Sequence, residues 1–279
     1  MLTALFQYEF LQNAFIAGIL IGIIAPLLGV FIVVRRLALI ADALSHITLA
    51  GIAASLLLEK KWGAYALNPL YMGMTFSVMG SLFIEQLRKL YKFYQELAIP
   101  IILSGGIGLG VLFISLADGF NTDLFNYLFG SVNAVSRSDM WTILGITILV
   151  LLVLTLLYKE LFALSFDEEH AIASGVKTKL INFIFIIMVA LVIASSMRVV
   201  GILLVSSLMT LPVAASMRIS TGFKQTIILS IIFGELAVIG GLVLSYFLDL
   251  APGGTIVILS VMILLLTIML QKVKGMIIR

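Results

Sequence analysis

The sequence predicts an all-α protein, a polytopic integral membrane helix bundle of about eight to nine transmembrane helices with one short cytoplasmic helix. Three observations carry this. Of 279 residues, 62% are hydrophobic and 11% charged, against about 25% charged in an ordinary globular domain. A mean hydropathy of +1.23 describes more apolar surface than a water-soluble core of this length can hide, so the solvent is lipid and a soluble enzyme is excluded. The third observation is the placement of the 17 Lys and Arg residues, which gather at one end of successive apolar runs as cytoplasmic loops require.

The runs fall at 10–34, 37–58, 65–84, 97–117, 140–158, 180–194, 197–217, 226–248 and 255–270, each near the length a bilayer needs. No Lys or Arg precedes the first run, and Arg35 and Arg36 follow it. The run is therefore expected to be a span with an external N-terminus, not a cleaved signal peptide. Threading nine spans from that start places Arg35, Arg36, Arg88, Lys89, Lys92, Lys159, Lys177, Lys179, Arg218, Lys224, Lys272, Lys274 and Arg279 inside, with the C-terminus. Lys60, Lys61, Arg137 and Arg198 fall outside. The basic residues are thus topological, and no nucleic-acid partner is expected. Only Ser195 to Arg198 separate the sixth and seventh runs, so eight spans are the alternative. Phe120–Ser131 (FNTDLFNYLFGS) is too short and polar to span and reads as an interfacial helix with aromatic anchors. Pro100 opens a helix and Pro252 leads a Pro-Gly-Gly turn, while Pro26 and Pro212 kink or end theirs. Without repeats, linkers or low-complexity segments, residues 1–279 read as a single transmembrane domain.

Three ionisable side chains lie well inside the runs: Asp42, His46 and Glu235. Each costs several kcal/mol in lipid unless paired or hydrated, which makes each a candidate for function. Asp42 and His46 are four residues apart, so a helix projects both from one face, about 6 Å apart along its axis. Carboxylate and imidazole can then share one cation, and both suit zinc or manganese; the competing reading is an intrahelical hydrogen bond. Glu235 stands between Gly234 and Gly240 and either pins two helices or belongs to a pathway. In the polar stretch 164–178, Ser165 and Glu168 make a capping-box pattern and Asp167, Glu168 and Glu169 suit a helix N-terminus, with Gly175 as its stop. A helix over 166–174 is expected there, with Phe166, Ala171 and Ile172 as apolar surface for a partner's groove, or else as an unpartnered surface helix carrying a solvated His170.

Other motifs narrow the chemistry. No GxxxxGK[ST] stretch exists for a nucleotide, no HExxH for a zinc protease, and no cysteine for disulfides or thiolate metal sites. The SGGIGLG stretch at 104–110 lacks a βαβ unit; Gly106 with Gly110, like Gly18 with Gly22, reads as close helix contact.

Along nearly its whole length the chain resembles the membrane permease subunit of ABC-type zinc and manganese importers. Residues 35–51 (RRLALIADALSHITLAG) resemble the family's Arg-Arg, Asp-x-x-x-His and downstream Gly pattern, and 166–175 (FDEEHAIASG) its coupling segment. Residues 199–218 (VVGILLVSSLMTLPVAASMR) and 241–259 (GLVLSYFLDLAPGGTIVIL) are similar to its late helices, and 127–130 (YLFG) to its external loop. Ala41, where glycine is common, and Ala50, where proline is frequent, depart from the pattern. Residues 85–106 look more like the Gram-positive zinc permeases. The resemblance implies a homodimer in a bacterial cytoplasmic membrane, two ATP-binding subunits inside and a metal-binding protein outside. It also implies zinc, or else manganese, as transported substrate with no permanently bound cofactor. By that resemblance Asp42 and His46 handle metal, and Phe166, Asp167, Glu168, Ala171 and Gly175 transmit ATPase closure by alternating access. The competing class is an ATPase-independent secondary transporter or channel, against which stands the small number of ionisable groups in the runs. A membrane enzyme using Asp42 and His46 as acid and base lacks a nucleophile.

Overall fold

The computed structural model describes residues 8–63, 68–117, 119 and 122–277. The N-terminus, the start of the third run, Phe120 and Arg279 lie outside the described residues. In chain order the helices are α1 (Glu9–Val34), α2 (Ala38–Trp62), α3 (Pro69–Leu90), α4 (Ala98–Leu116), α5 (Thr122–Phe129), α6 (Arg137–Leu156), α7 (Tyr158–Phe166), α8 (Glu168–Ala173), α9 (Thr178–Ser196), α10 (Ile202–Ile219), α11 (Phe223–Leu248) and α12 (Pro252–Ile277). Every apolar run is met by a helix. Seven are long and apolar enough to cross a membrane; the remaining two runs are α3, whose middle is rich in Gly, Ser and Thr, and the shorter α10.

The helices divide by what surrounds them. Over its apolar window α2 is 78% buried, whereas α4, α6 and α12 are each 28% buried and turn most of their surface outward. Lipid is as apolar as leucine, so helices associate here through close packing and hydrogen bonds, not by escaping water. Glycines supply that closeness. A Cβ built on Gly29 of α1 would lie 1.9 Å from the Met209 carbonyl oxygen of α10, and one on Gly106 of α4 would lie 2.9 Å from the Ile47 nitrogen of α2. Gly18 and Gly22 likewise meet α11 closely, at Leu242 and Glu235, whereas a Cβ on Gly110 would stand at an ordinary 3.9 Å from Ala50, so of that pair Gly106 is the close contact.

Polar groups fasten the ends. At the end holding the α1 N-terminus, Ser136 and Asp139 form a capping box at the start of α6. Arg198, in the break between α9 and α10, donates to Asp139 Oδ2 at 2.6 Å, to the Tyr127 hydroxyl at 2.7 Å and to the Ala134 carbonyl at 3.2 Å. This draws α5 across the bundle: Leu124, Tyr127 and Leu128 are buried, while Phe125 and Phe129 stack with centroids 6.0 Å apart on the exposed side. A short helix with two outward aromatic rings thus stands within the stretch that the sequence marks as too short to span.

Four local expectations change. The α9–α10 break spans 197–201 and turns on Gly201 at φ 87°, past Ser195 and Ser196, which are still helical. Pro252 opens α12 instead of a turn, and Gly253 sits in its first turn because a Cβ there would lie 1.9 Å from the Val200 carbonyl oxygen. Pro26 and Pro212 lie inside α1 and α10, so neither ends its helix. The helix expected over 166–174 is two elements, α7 and α8, with Asp167 and not Ser165 as the cap: Asp167 Oδ1 accepts from the His170 N–H at 2.9 Å, and the Ser165 hydroxyl turns back to the Leu161 carbonyl at 2.7 Å.

Candidate metal pathway and coupling face

Helix α2 carries the Asp42–His46 pair on a partly open strip of its first half. Over residues 39–55 only Leu39, Asp42 and His46, spaced three and four residues apart, are exposed or half-buried, and 47–55 are buried throughout before the helix emerges again at 58–61. The strip thus opens toward the Arg35–Arg36 end of the helix and closes above His46. Between the two ligand types lies Ser45, whose Oγ is buried without a protein partner. Thr48, by contrast, returns its hydroxyl to the Leu44 carbonyl at 2.7 Å. Among the described residues no hydrogen bond joins Asp42 to His46, and no group of three or more His, Asp or Glu side chains forms a metal cluster. The backbone of α4 crosses α2 at this level, since a Cβ on Gly106 would lie 3.1 Å from the His46 carbonyl carbon. Gly106 thereby places the His46 turn without covering its side chain.

Glu235 is elsewhere. Its Oε1 is buried without a partner and points at α1, 2.6 Å from where a Gly22 Cβ would stand. Pro26 has no N–H to give the Gly22 carbonyl, so this crossing gathers an acceptor and a carboxyl group at one point. The main neighbours of α2 are α3 and α4, and Glu235 belongs to the α1–α11 contact. The structure therefore does not bring Glu235 together with Asp42 and His46.

At the opposite end from Arg198, α7 and α8 form a second surface. Ala171 is fully buried and anchors α8, while Phe166 (62% exposed), Ile172 (56%) and the side chains of Glu168, Glu169 and His170 face outward. Gly175 at φ 83° lets the chain reverse into α9, with the Val176 N–H reaching the Ala171 carbonyl at 3.0 Å. Beside it Tyr158, Phe162, Phe166 and Phe223 form an aromatic cluster, with Phe162 and Phe166 centroids 4.9 Å apart and Phe223 5.1 Å from Phe162. A cavity of about 550 Å³ lies against Tyr158, Phe162 and 221–225. Sequence reasoning missed this cluster because its members come from two segments about 60 residues apart, although the i, i+4, i+8 spacing of Tyr158, Phe162 and Phe166 was a readable stripe.

The ABC 3 transport family profile matches residues 7–271. The chain belongs to the ABC 3 transport family. It is the membrane permease of an ABC-type metal importer and not an enzyme, and the ABC 3 permeases work with an ATP-binding subunit and a substrate-binding protein. That membership replaces the ATPase-independent transporter and the membrane enzyme. Among relatives, the chain is 38% identical over 269 residues to a probable metal transport system membrane protein of Treponema pallidum, covering 96% of this chain and 97% of that one. It is 35% identical to the manganese import system permease protein ScaB of Streptococcus gordonii, covering 95% and 93% of the two chains. A solved structure, PsaBC from Streptococcus pneumoniae in complex with Fab, superposes with a TM-score of 0.82 at 31% identity, over 95% of this chain and 93% of that chain.

Proposed function

We propose that this ABC 3 permease carries manganese inward across the cytoplasmic membrane, with Asp42 and His46 as the ligands that receive the ion. The observation that carries this is the carboxylate–imidazole pair, one helical turn apart, on a partly open strip of a helix that is otherwise 78% buried over its apolar window. An ionisable pair at that depth is costly, and a passing divalent cation offsets the cost. Manganese accepts oxygen and imidazole ligands, and the absence of thiolates suits an ion that must be released. Manganese also stands in the printed names of the Streptococcus gordonii and Listeria monocytogenes relatives, so we assign it in place of the zinc that residues 85–106 suggest.

One chain brings two ligands to this strip. A homodimer related by a two-fold axis, with the strips facing, brings four and makes a site that exists only in the assembly. The face built from Phe166, Asp167, Glu168, Ala171 and Gly175 receives the ATP-binding subunit: its apolar projections, Phe166 and Ile172, fit a groove, and buried Ala171 passes displacement into the bundle. Nucleotide-driven closure then favours one arrangement of the helices over the other, and the strip changes the side to which it opens.

The test is uptake of radioactive manganese by membrane vesicles holding the permease with its ATP-binding subunit. His46→Ala and Asp42→Asn are expected to lower uptake by more than the roughly 10- to 100-fold that losing an outer-shell partner of a metal ligand costs, at near-normal expression. Uptake at the wild-type rate by the double variant would exclude these ligands, and zinc carried in preference to manganese would reverse the choice of ion.

A further inference from the structure

We propose that the permease binds one anionic phospholipid at its Arg35-side membrane surface, the phosphate headgroup in a basic cavity between α3, α8 and α9 and the acyl chains in the apolar groove beside it. The cavity, about 430 Å³, is lined by the last two turns of α3, the loop after it, Glu168 of α8 and Lys179 and Asn182 of α9. Arg88, Lys89, Lys92 and Lys179 face it against two carboxylates, Glu85 and Glu168. One carboxylate is already engaged, since Glu85 lies 3.8 Å from Lys89. Among the described residues Arg88 meets only the Gln95 amide oxygen, at 3.4 Å, and Lys92 and Lys179 have no anionic partner.

A fifth cation stands behind the wall. Arg35 donates through Nη2 to Asn182 Oδ1, lies over the Phe185 ring at 5.3 Å, and leaves Nη1 buried without a partner. Burial, and next the charge of Arg88, lower the Arg35 pKa from its ordinary value, while Glu168 and Glu85 oppose this. Arginine keeps its proton under such shifts, so the positive field of the cavity exceeds what its lining alone supplies.

The occupant follows from what adjoins the cavity. Glu85 and Lys89 are shared with a second groove of about 680 Å³, whose other lining includes Leu82, Leu87, Leu90 and Phe183. Leu82, Leu90 and Phe183 are exposed, two of them on the last turns of α3 and one on the first turns of α9. A molecule with an anionic head and apolar chains fills both spaces at once. A free phosphate leaves the groove empty, and an acidic protein segment would have to lie against the lipid-facing side of two helices. Basic pockets between helices at the cytoplasmic surface are suited to such headgroups.

The experiment compares thermal denaturation of the purified full chain in detergent with phosphatidylglycerol, with phosphatidylcholine of the same acyl chains, and with inorganic phosphate. Phosphatidylglycerol is expected to raise Tm by about 5 °C over phosphatidylcholine at saturating lipid, inorganic phosphate by nothing measurable, and native mass spectrometry is expected to show one retained phosphatidylglycerol. The Arg88→Gln, Lys179→Gln double variant is expected to abolish the difference. Should that variant not fold, the wild-type preference is expected to fade between 0.1 and 1 M salt. Equal effects of the two lipids, an equal effect of inorganic phosphate, or a preference that survives both the variant and high salt would overturn the site. So would displacement of the retained lipid by the ATP-binding subunit, which would mark the cavity as a protein contact.

Discussion

Two kinds of polar side chain occupy this bundle, and their bonding predicts opposite behaviour. Asp139 is 4% exposed and Arg198 17%, joined at 2.6 Å, with Arg198 also holding the Tyr127 hydroxyl and ring. Removing one member of such a buried pair strands the other charge, so Asp139→Ala is expected to lower stability by about 3 kcal/mol or more, read by thermal denaturation in detergent. Asp42 and His46 make no such bonds, and His46→Ala is expected to change Tm by less than about 2 °C while uptake collapses. Imidazole coordinates metal only when neutral, so uptake is expected to fall as the external solution is made more acidic, and the fall should be absent from residual transport in the His46→Ala variant. The Asp42–His46 pair was legible as a spacing, because i and i+4 are neighbours on any helix. The Arg198 network was not: Arg198 and Asp139 are 59 residues apart, and nothing local marks Arg198 as more than a topological charge.

Helices here meet where side chains are missing. Gly29 faces the Met209 carbonyl at a distance no Cβ can share, so Gly29→Ala must push α1 from α10. A cost of about 2 to 4 kcal/mol is expected, comparable to strong overpacking, with a matching loss of folded protein on size-exclusion chromatography. Gly201 combines φ 87° with a built Cβ 2.5 Å from the Leu128 carbonyl oxygen, and Gly201→Ala should detach α5 from the bundle and expose Tyr127 to quenchers. Gly175 is a useful contrast, because its φ is 83° but nothing lies within 4 Å of its Cβ position. Gly175→Ala is expected to cost only about 1 kcal/mol, whereas Gly175→Pro cannot adopt the turn at all and should uncouple metal-stimulated ATP hydrolysis while leaving the protein in the membrane. The existence of these elements was readable from hydropathy. Their ends were less so: Ser165 and Glu168 satisfy a capping pattern, yet Asp167 takes the role because its carboxylate reaches the His170 N–H while Ser165 is still helical.

Orientation is a property of all the spans together. With the thirteen-to-four division of Lys and Arg, the end bearing Glu9 and Arg137 is expected outside and that bearing Ser174 inside. A cysteine at Glu9 should therefore react with an impermeant reagent in intact cells, and one at Ser174 only after permeabilisation. The reverse pattern would invert the topology. The number of runs, their helical nature, the charge asymmetry and the Asp42–His46 spacing could be read along the chain because lipid imposes a local rule: each crossing segment must be apolar, must satisfy its own backbone and must be about 20 residues long. Which helices enclose which follows no such rule. That α2 is enclosed and α12 peripheral, that Glu235 turns to Gly22 and away from His46, that Ser77 of α3 bonds the Ala190 carbonyl of α9 across 113 residues, and that α3, α8 and α9 gather their charges into one cavity all depend on shape complementarity between distant surfaces. The seven long apolar helices carry apolar residues on most faces, so their hydropathy says that they lie in the membrane and not which face meets which neighbour.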